Sequence, residues 1–495
     1  MRKAIQLCVA LFFSTVTIGW GQTKIQILSS DITDIVKGSG NSRTYYLRGN
    51  VGLKQDVAFM YCDSAILKQP QNTFKAFGNV RIIQSDTVRI TGNELEYVGD
   101  QRIFTITNNV VLNTPSSRLA TVSLKYDRNN ATAYYLNRST LERKTLRLTS
   151  DMGSYNTAIE LVKLRGNVVA LDSSFKMTTD TLLYYPKKNV YNFAGPTTMV
   201  RDSTTLFCQF GSYEVDRTYL ILDGGASMVS PGQFISSKSL TYNLKSNSGE
   251  LRHGALVADT AQGFVLEGDY IRYAKSPVYV DAHYPVYYRQ DMDNDTLYAK
   301  GDTLHIRQDT LDFKRVELRG NTAFYSEEFQ GISPKFNYEE YHEIFALFPT
   351  PILWSDANQF SSDSAAIQLI ENRLDSVFMV GDVGFASETE DSTRFDQIAG
   401  KFLHGKFIGG QLHNIVLNGN AQNLFFNFDD DQAVGINSSA CSWLKLDFHD
   451  GKITKVKMAK DVQATYSPIN NDTEYWLEDC SPNFELRPSK ASLRP

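Results

Sequence analysis

A tyrosine recurs every 29 residues through the middle of this chain, and that spacing limits the fold more than any other feature. Tyr97, Tyr126, Tyr155, Tyr184, Tyr213 and Tyr242 are each 29 apart, and the column continues less strictly at Tyr273 and Tyr338. A second column, Gly49, Gly78, Asn108, Asn137, Gly166, Gly195, Gly224 and His253, keeps the same step except for one of 30. Glycine takes positive φ freely, and Asn and His enter that region more readily than most residues. The second column therefore reads as one recurring turn with a left-handed residue. Two columns of different chemistry share one period, which marks a structural repeat.

Within a unit the pattern is that of strands. Runs such as Val80-Arg81-Ile82-Ile83 and Val168-Val169-Ala170-Leu171 follow the Gly/Asn position. A second run ends on the tyrosine, as in Leu95-Glu96-Tyr97 and Leu240-Thr241-Tyr242, and its Leu and Tyr share one sheet face. A third run leads back to the turn. No window outside the N-terminus has helical periodicity. One unit is too small to bury a face, so units must stack in register. Past about residue 275 the period loosens. Pro349 and Pro351 bracket a break, and Trp443–Phe448, His449-Asp450-Gly451-Lys452 and Ile453–Met458 read as a hairpin.

The N-terminus reads as an export signal. Arg2 and Lys3 precede an apolar run from Ile5 to Ile18, and Gly19 and Gly21 flank Trp20. The run falls short of the ~20 residues of a spanning helix, although a single membrane anchor is the alternative. Cys8 follows Ile5-Gln6-Leu7, a poor lipid-attachment box. The expected organisation is a signal peptide over 1–21, a repeat domain over 22–275, a looser continuation over 276–348, a C-terminal β domain over 349–470 and a frayed tail over 471–495. Cleavage leaves no span long enough for a membrane. Cys62 and Cys208 sit at like places five units apart, roughly 24 Å if each unit adds one strand, too far for a disulfide. A Cys441–Cys480 pair remains open.

A net charge of −5 over 495 residues argues against nucleic acid as a partner. No nucleophile elbow, phosphate loop, dinucleotide fingerprint or paired-His zinc helix is present. Asp291-Met-Asp293-Asn-Asp295 with Asp302 faintly resembles a calcium loop, but Thr296 stands where glycine is needed. That segment and Asp429-Asp430-Asp431 read as acidic turns, and Asp86, Asp172 and Asp202 as turn formers. No enzyme, metal or cofactor is expected. Residues 118–165 carry nine Lys/Arg against four acids, a stretch that could meet phosphates or simply form a solvated face.

The recurring Gly-Asn-Val unit carries a family resemblance. Leu47-Arg48-Gly49-Asn50-Val51, Phe77-Gly78-Asn79-Val80 and Leu164-Arg165-Gly166-Asn167-Val168, with Cys62-Asp63-Ser64-Ala65 and Ile90–Tyr97, resemble the OstA-like proteins of the LptA family, and in particular the large OstA-like proteins of the Bacteroidetes type. The resemblance covers about 45–250. It implies an all-β, elongated stacked-repeat β-jelly-roll or β-taco with an apolar interior, in the periplasm or at the outer membrane. It also implies lipopolysaccharide as the partner, with its lipid A acyl chains inside, alongside other Lpt-type envelope proteins. Open stack ends suit end-to-end self-association by strand addition.

A buried acyl methylene gains about 0.8 kcal/mol, so a lipid crossing water needs a continuous apolar trough. The candidate lining is Val51, Leu53, Val80, Ile82, Leu95, Tyr97, Leu124, Tyr126, Leu182, Tyr184, Leu240 and Tyr242. The competing expectation is that these residues pack on one another in a closed core, making the protein a structural solenoid of the envelope. An enzyme acting on envelope glycans would need convergent acids outside the repeat register, and none is seen.

Overall fold

The computed structural model describes residues 24–40, 42–84, 87–292, 295–389, 393–429, 432–470 and 474–494. The segment read as a signal peptide lies outside them. The chain divides into two compact units, one of residues to Ser173 with Thr181–Lys187, the other of Ser174–Asp180 with everything from Lys188 on.

Both units are antiparallel meanders, and no α-helix occurs among the described residues. In the first unit Ala58–Lys68, Thr73–Gln84, Val88–Val98, Ile103–Asn113 and Arg118–Asp127 follow one another, each pairing with the next. Each repeat therefore supplies two strands of ten to twelve residues, not the three runs read from the sequence. Burial alternates along each strand. In Thr73–Gln84 the buried positions are Phe74, Ala76, Val80 and Ile82.

The Gly/Asn column is left-handed as expected, but it does not reverse the chain. Gly78 and Asn79 have φ of 74° and 43° inside one continuous strand. The register slips there, from Phe77 opposite Glu94 to Val80 opposite Gly92, so the pair is a β-bulge. Gly49-Asn50, Asn108-Asn109, Gly166-Asn167 and Gly320-Asn321 repeat the left-handed conformation. Asn137 does not: there the strand breaks between Thr132–Tyr135 and Ser139–Arg143. The glycine is required, because a Cβ on Gly78 would lie 2.3 Å from Asp63 Oδ2, and that carboxylate accepts a 2.9 Å bond from Asn79 Nδ2. The same box joins Asp31 to Asn50 and Asp151 to Asn167. Propensity alone could not separate a bulge from a turn, since both use positive φ.

The bulges fold the long strands over. In the second unit Thr204–Glu214 has 11 residues, about 35 Å if straight. Yet Arg201, just before its start, donates a 2.9 Å bond to the hydroxyl of Tyr213 near its end. Likewise Tyr273 near the end of Phe264–Lys275 donates at 3.0 Å to Asp259, which precedes that strand. Within a unit, the two halves of each bulged strand thus lie on two facing sheets. The bulges make the fold line, and the hairpin ends make two lips that meet along a mouth.

The hairpin expected near residue 450 is present. Gln432–His449 pairs with Lys452–Ala459 through left-handed Asp450 and Gly451. Residues 474–494, read as frayed, instead lie against the outer sheet face of the second unit. Gln330, Trp354, Gln359, Ala386 and Gln397 are successive cross-strand neighbours there. Gln397 donates to Tyr475 O and accepts from Leu477 N, both at 2.9 Å. Gln359 clasps Ser481 O and Asn483 N at 2.9 and 2.6 Å. Gln330 accepts from Arg487 Nε at 2.8 Å.

Candidate functional site

All twelve candidate lining residues point between the sheets and are buried. Their exposures run from 0% for Leu53, Ile82, Tyr97 and Leu182 to 5% for Tyr184. Leu95 and Tyr97 face Ala76 and Phe74 across the ladder. Tyr97 also stacks on Phe104 at 4.4 Å. At these positions the interior is filled by its own side chains.

The tyrosine column stands at the mouth. The rings are buried, and the hydroxyls of Tyr97, Tyr126, Tyr155, Tyr213 and Tyr273 meet polar partners, as suits an amphipathic side chain. In the first unit the Tyr97 hydroxyl donates to Gln55 on the opposite lip. Arg128 reaches both, at 3.1 Å to Tyr97 and 3.3 Å to Gln55. Asp56 adds ion pairs with Arg102 at 3.3 Å and Arg128 at 3.8 Å. Further along, Tyr155 pairs with Thr114 at 3.3 Å, and Arg143 of one lip meets Glu160 of the other at 3.2 Å. In the second unit Tyr213 takes Arg201, and Tyr273 takes Gln233 at 2.7 Å with Asp259.

Tyr242 differs. Its hydroxyl is buried without a hydrogen-bond partner. Burial pushes the ionisation of Tyr97, Tyr126, Tyr242 and Tyr273 upward, so all remain neutral donors at any physiological pH.

The seam partners Gln55, Asp56, Arg128, Arg143, Arg201 and Gln233 were not singled out one by one from the sequence. Arg128 and Arg143 fall in the basic stretch 118–165, where charge pattern marked them as phosphate-facing or solvated. The structure turns both into the mouth. The only sequence signal is position: each stands at a strand end, two to four residues from an inward apolar residue.

The acidic segments are spent locally. Asp295 Oδ2 accepts from Glu327 N at 2.9 Å, and Asp302 packs against Gly320. Asp172 accepts from Thr145 at 3.1 Å. Asp86, Asp293, Asp430 and Asp431 lie outside the described residues. Among the described residues no cluster of His, Cys, Asp and Glu could hold a metal ion. Cys62, Cys208, Cys441 and Cys480 are free and buried. Burial pushes the Cys62, Cys208 and Cys480 thiols up to about 12, which leaves them unreactive. No helix of the described residues is long and apolar enough to cross a membrane.

Comparison with known proteins bears on the first third of the chain. The profile of the family described as OstA-like protein matches residues 22–180, so the resemblance read from the Gly-Asn-Val units holds there. Among solved structures, the chain is similar to LptH of Pseudomonas aeruginosa, described as the LptA-homologous periplasmic component of a conserved lipopolysaccharide transport device. Identity is 14%, over 22% of this chain and 81% of LptH, with a TM-score of 0.21. No curated protein matches the chain.

Proposed function

We propose that this chain is a periplasmic carrier of lipopolysaccharide, holding lipid A acyl chains between its two sheets on the way to the outer membrane, alongside other Lpt-type proteins. One observation carries the reading. The lips of the mouth are tied by side chains, Tyr97 with Gln55 and Arg128, and Tyr213 with Arg201. Such ties open without breaking the ladders that build the sheets. A net hydrogen bond is worth only about 1 kcal/mol. A fourteen-carbon acyl chain gains up to roughly 11 kcal/mol on leaving water, which offsets several ties and some repacking. The OstA-like match over 22–180 supports the same reading from the sequence side.

A second reading, a closed-core envelope scaffold, is favoured by the near-complete burial of the lining residues. A photo-reactive amino acid at Leu124 or Tyr126, activated in cells, separates the two. Adducts with lipopolysaccharide support the carrier. Adducts with protein alone, at positions throughout the column, refute it.

A further inference from the structure

The seam is built differently at the Tyr288–Tyr338 rung of the second unit. Tyr288 spends its hydroxyl on Gln290, two residues along its own strand, at 2.6 Å. A cavity of about 150 Å³ opens between the sheets at this place. Leu297, Val316, Phe336 and Phe345 form its walls, all 6% exposed or less. At its rim stand Lys314 and Glu340, 4.0 Å apart. Asp291 is also at the rim, held to Arg289 at 2.7 Å.

Gln290 and Asn372 also line the cavity, and an apolar pocket of about this volume accepts ligands of about six carbon atoms. The rim charges restrict what can sit at the entrance. Glu340 and Asp291 oppose an anion, and Lys314 opposes a cation. An uncharged hydroxyl or amide can accept from the Lys314 ammonium and donate to the Glu340 carboxylate without a net charge to desolvate.

We infer that this cavity binds the end of an alkyl chain, about six carbons deep, whose uncharged polar group is held at the mouth by Lys314 and Glu340. The site lies outside the matched segment 22–180 and outside the twelve lining positions. It deepens the carrier reading, and rests on it for the ligand met in the cell.

The test is a ligand-observed NMR titration of the full chain with straight-chain primary alcohols from butanol to octanol. Each added methylene should tighten binding about four-fold, with the gain flattening beyond about six carbons. Hexan-1-ol should bind more tightly than hexanoate and hexylammonium. Val316→Phe fills the cavity and should weaken hexan-1-ol at least ten-fold while circular dichroism stays unchanged. If that variant fails to fold, the length series on the natural chain decides. Affinity that is independent of chain length, or tightest for an ion, overturns the inference. So does equal binding by folded Val316→Phe. The two proposals fail separately. Lipopolysaccharide adducts without alcohol binding sink the cavity alone, and alcohol binding without such adducts sinks the carrier.

Discussion

Replacing Gln397 by alanine should release the C-terminal segment from the sheet. Gln397 is 0% exposed, and its amide satisfies both Tyr475 O and Leu477 N. Each buried main-chain group left without a partner costs about 1–3 kcal/mol. The segment lies near the surface and water can replace part of the loss, so the low end applies, about 2 kcal/mol for the two groups. That raises the undocked population about 30-fold.

Cys480 reports it directly. Its thiol is 2% exposed, bonds Phe385 O at 3.0 Å and is pushed up to about 12 by burial, so it reacts only when the segment lifts. When closing outpaces modification, the labelling rate follows the open fraction. Peptide-resolved mass spectrometry after timed thiol labelling should show Cys480 about 30-fold faster in Gln397→Ala, with Cys62 and Cys208 unchanged. Gln359→Ala should act in the same direction. A Cys480 rate that does not move refutes the clasp. A rate that rises equally at Cys208 assigns the effect to general loosening and refutes it too.

Tyr97→Phe should destabilise the first unit by about 1–3 kcal/mol in urea, because it strips a partner from buried Gln55 and Arg128. Tyr242→Phe should be neutral or stabilising, since its buried hydroxyl bonds nothing. The opposite ranking would contradict the seam. Gly78→Ala should cost about 1–2 kcal/mol for its left-handed backbone plus the displaced Asp63. Adding Asp63→Ala should then cost nothing further, and simple additivity in a double-mutant cycle would refute the contact.

Asp396 is half-buried, and desolvation pushes its carboxyl up to about 6 despite a bond from Phe426 N. The native state therefore holds this proton more tightly than the unfolded chain. The resulting stability is complete below pH ~4 and is lost as pH rises through ~6, about 3 kcal/mol in all. Asp396→Asn should abolish that loss, as read from urea midpoints across pH 4–7. An unchanged pH profile would place the titration elsewhere.

Much of the architecture could be read without coordinates because its causes are local and periodic. Leu95 and Tyr97 alternate with charged neighbours, so their shared inward face followed from the two-residue period of a strand. Gly78 and Gly166 needed positive φ, and their place in the 29-residue Gly/Asn column said so. The all-β class and the burial of all twelve candidate residues rest on these two regularities.

Three-dimensional contacts decided the rest. Whether a left-handed residue reverses a strand or only bends it depends on the opposing strand, as the Phe77/Val80 slip against Glu94 and Gly92 illustrates. Joining the lips matches Gln55 to Tyr97, 42 residues away, and Arg128 to Gln55, 73 away. The docked tail matches Gln359 to Asn483, 124 away. No pattern within one segment encodes such pairings. The same is true of packing: identical inward spacing yields a filled interior at Ile82 and a cavity beside Val316, because the gap is set by side-chain volumes arriving from the facing sheet.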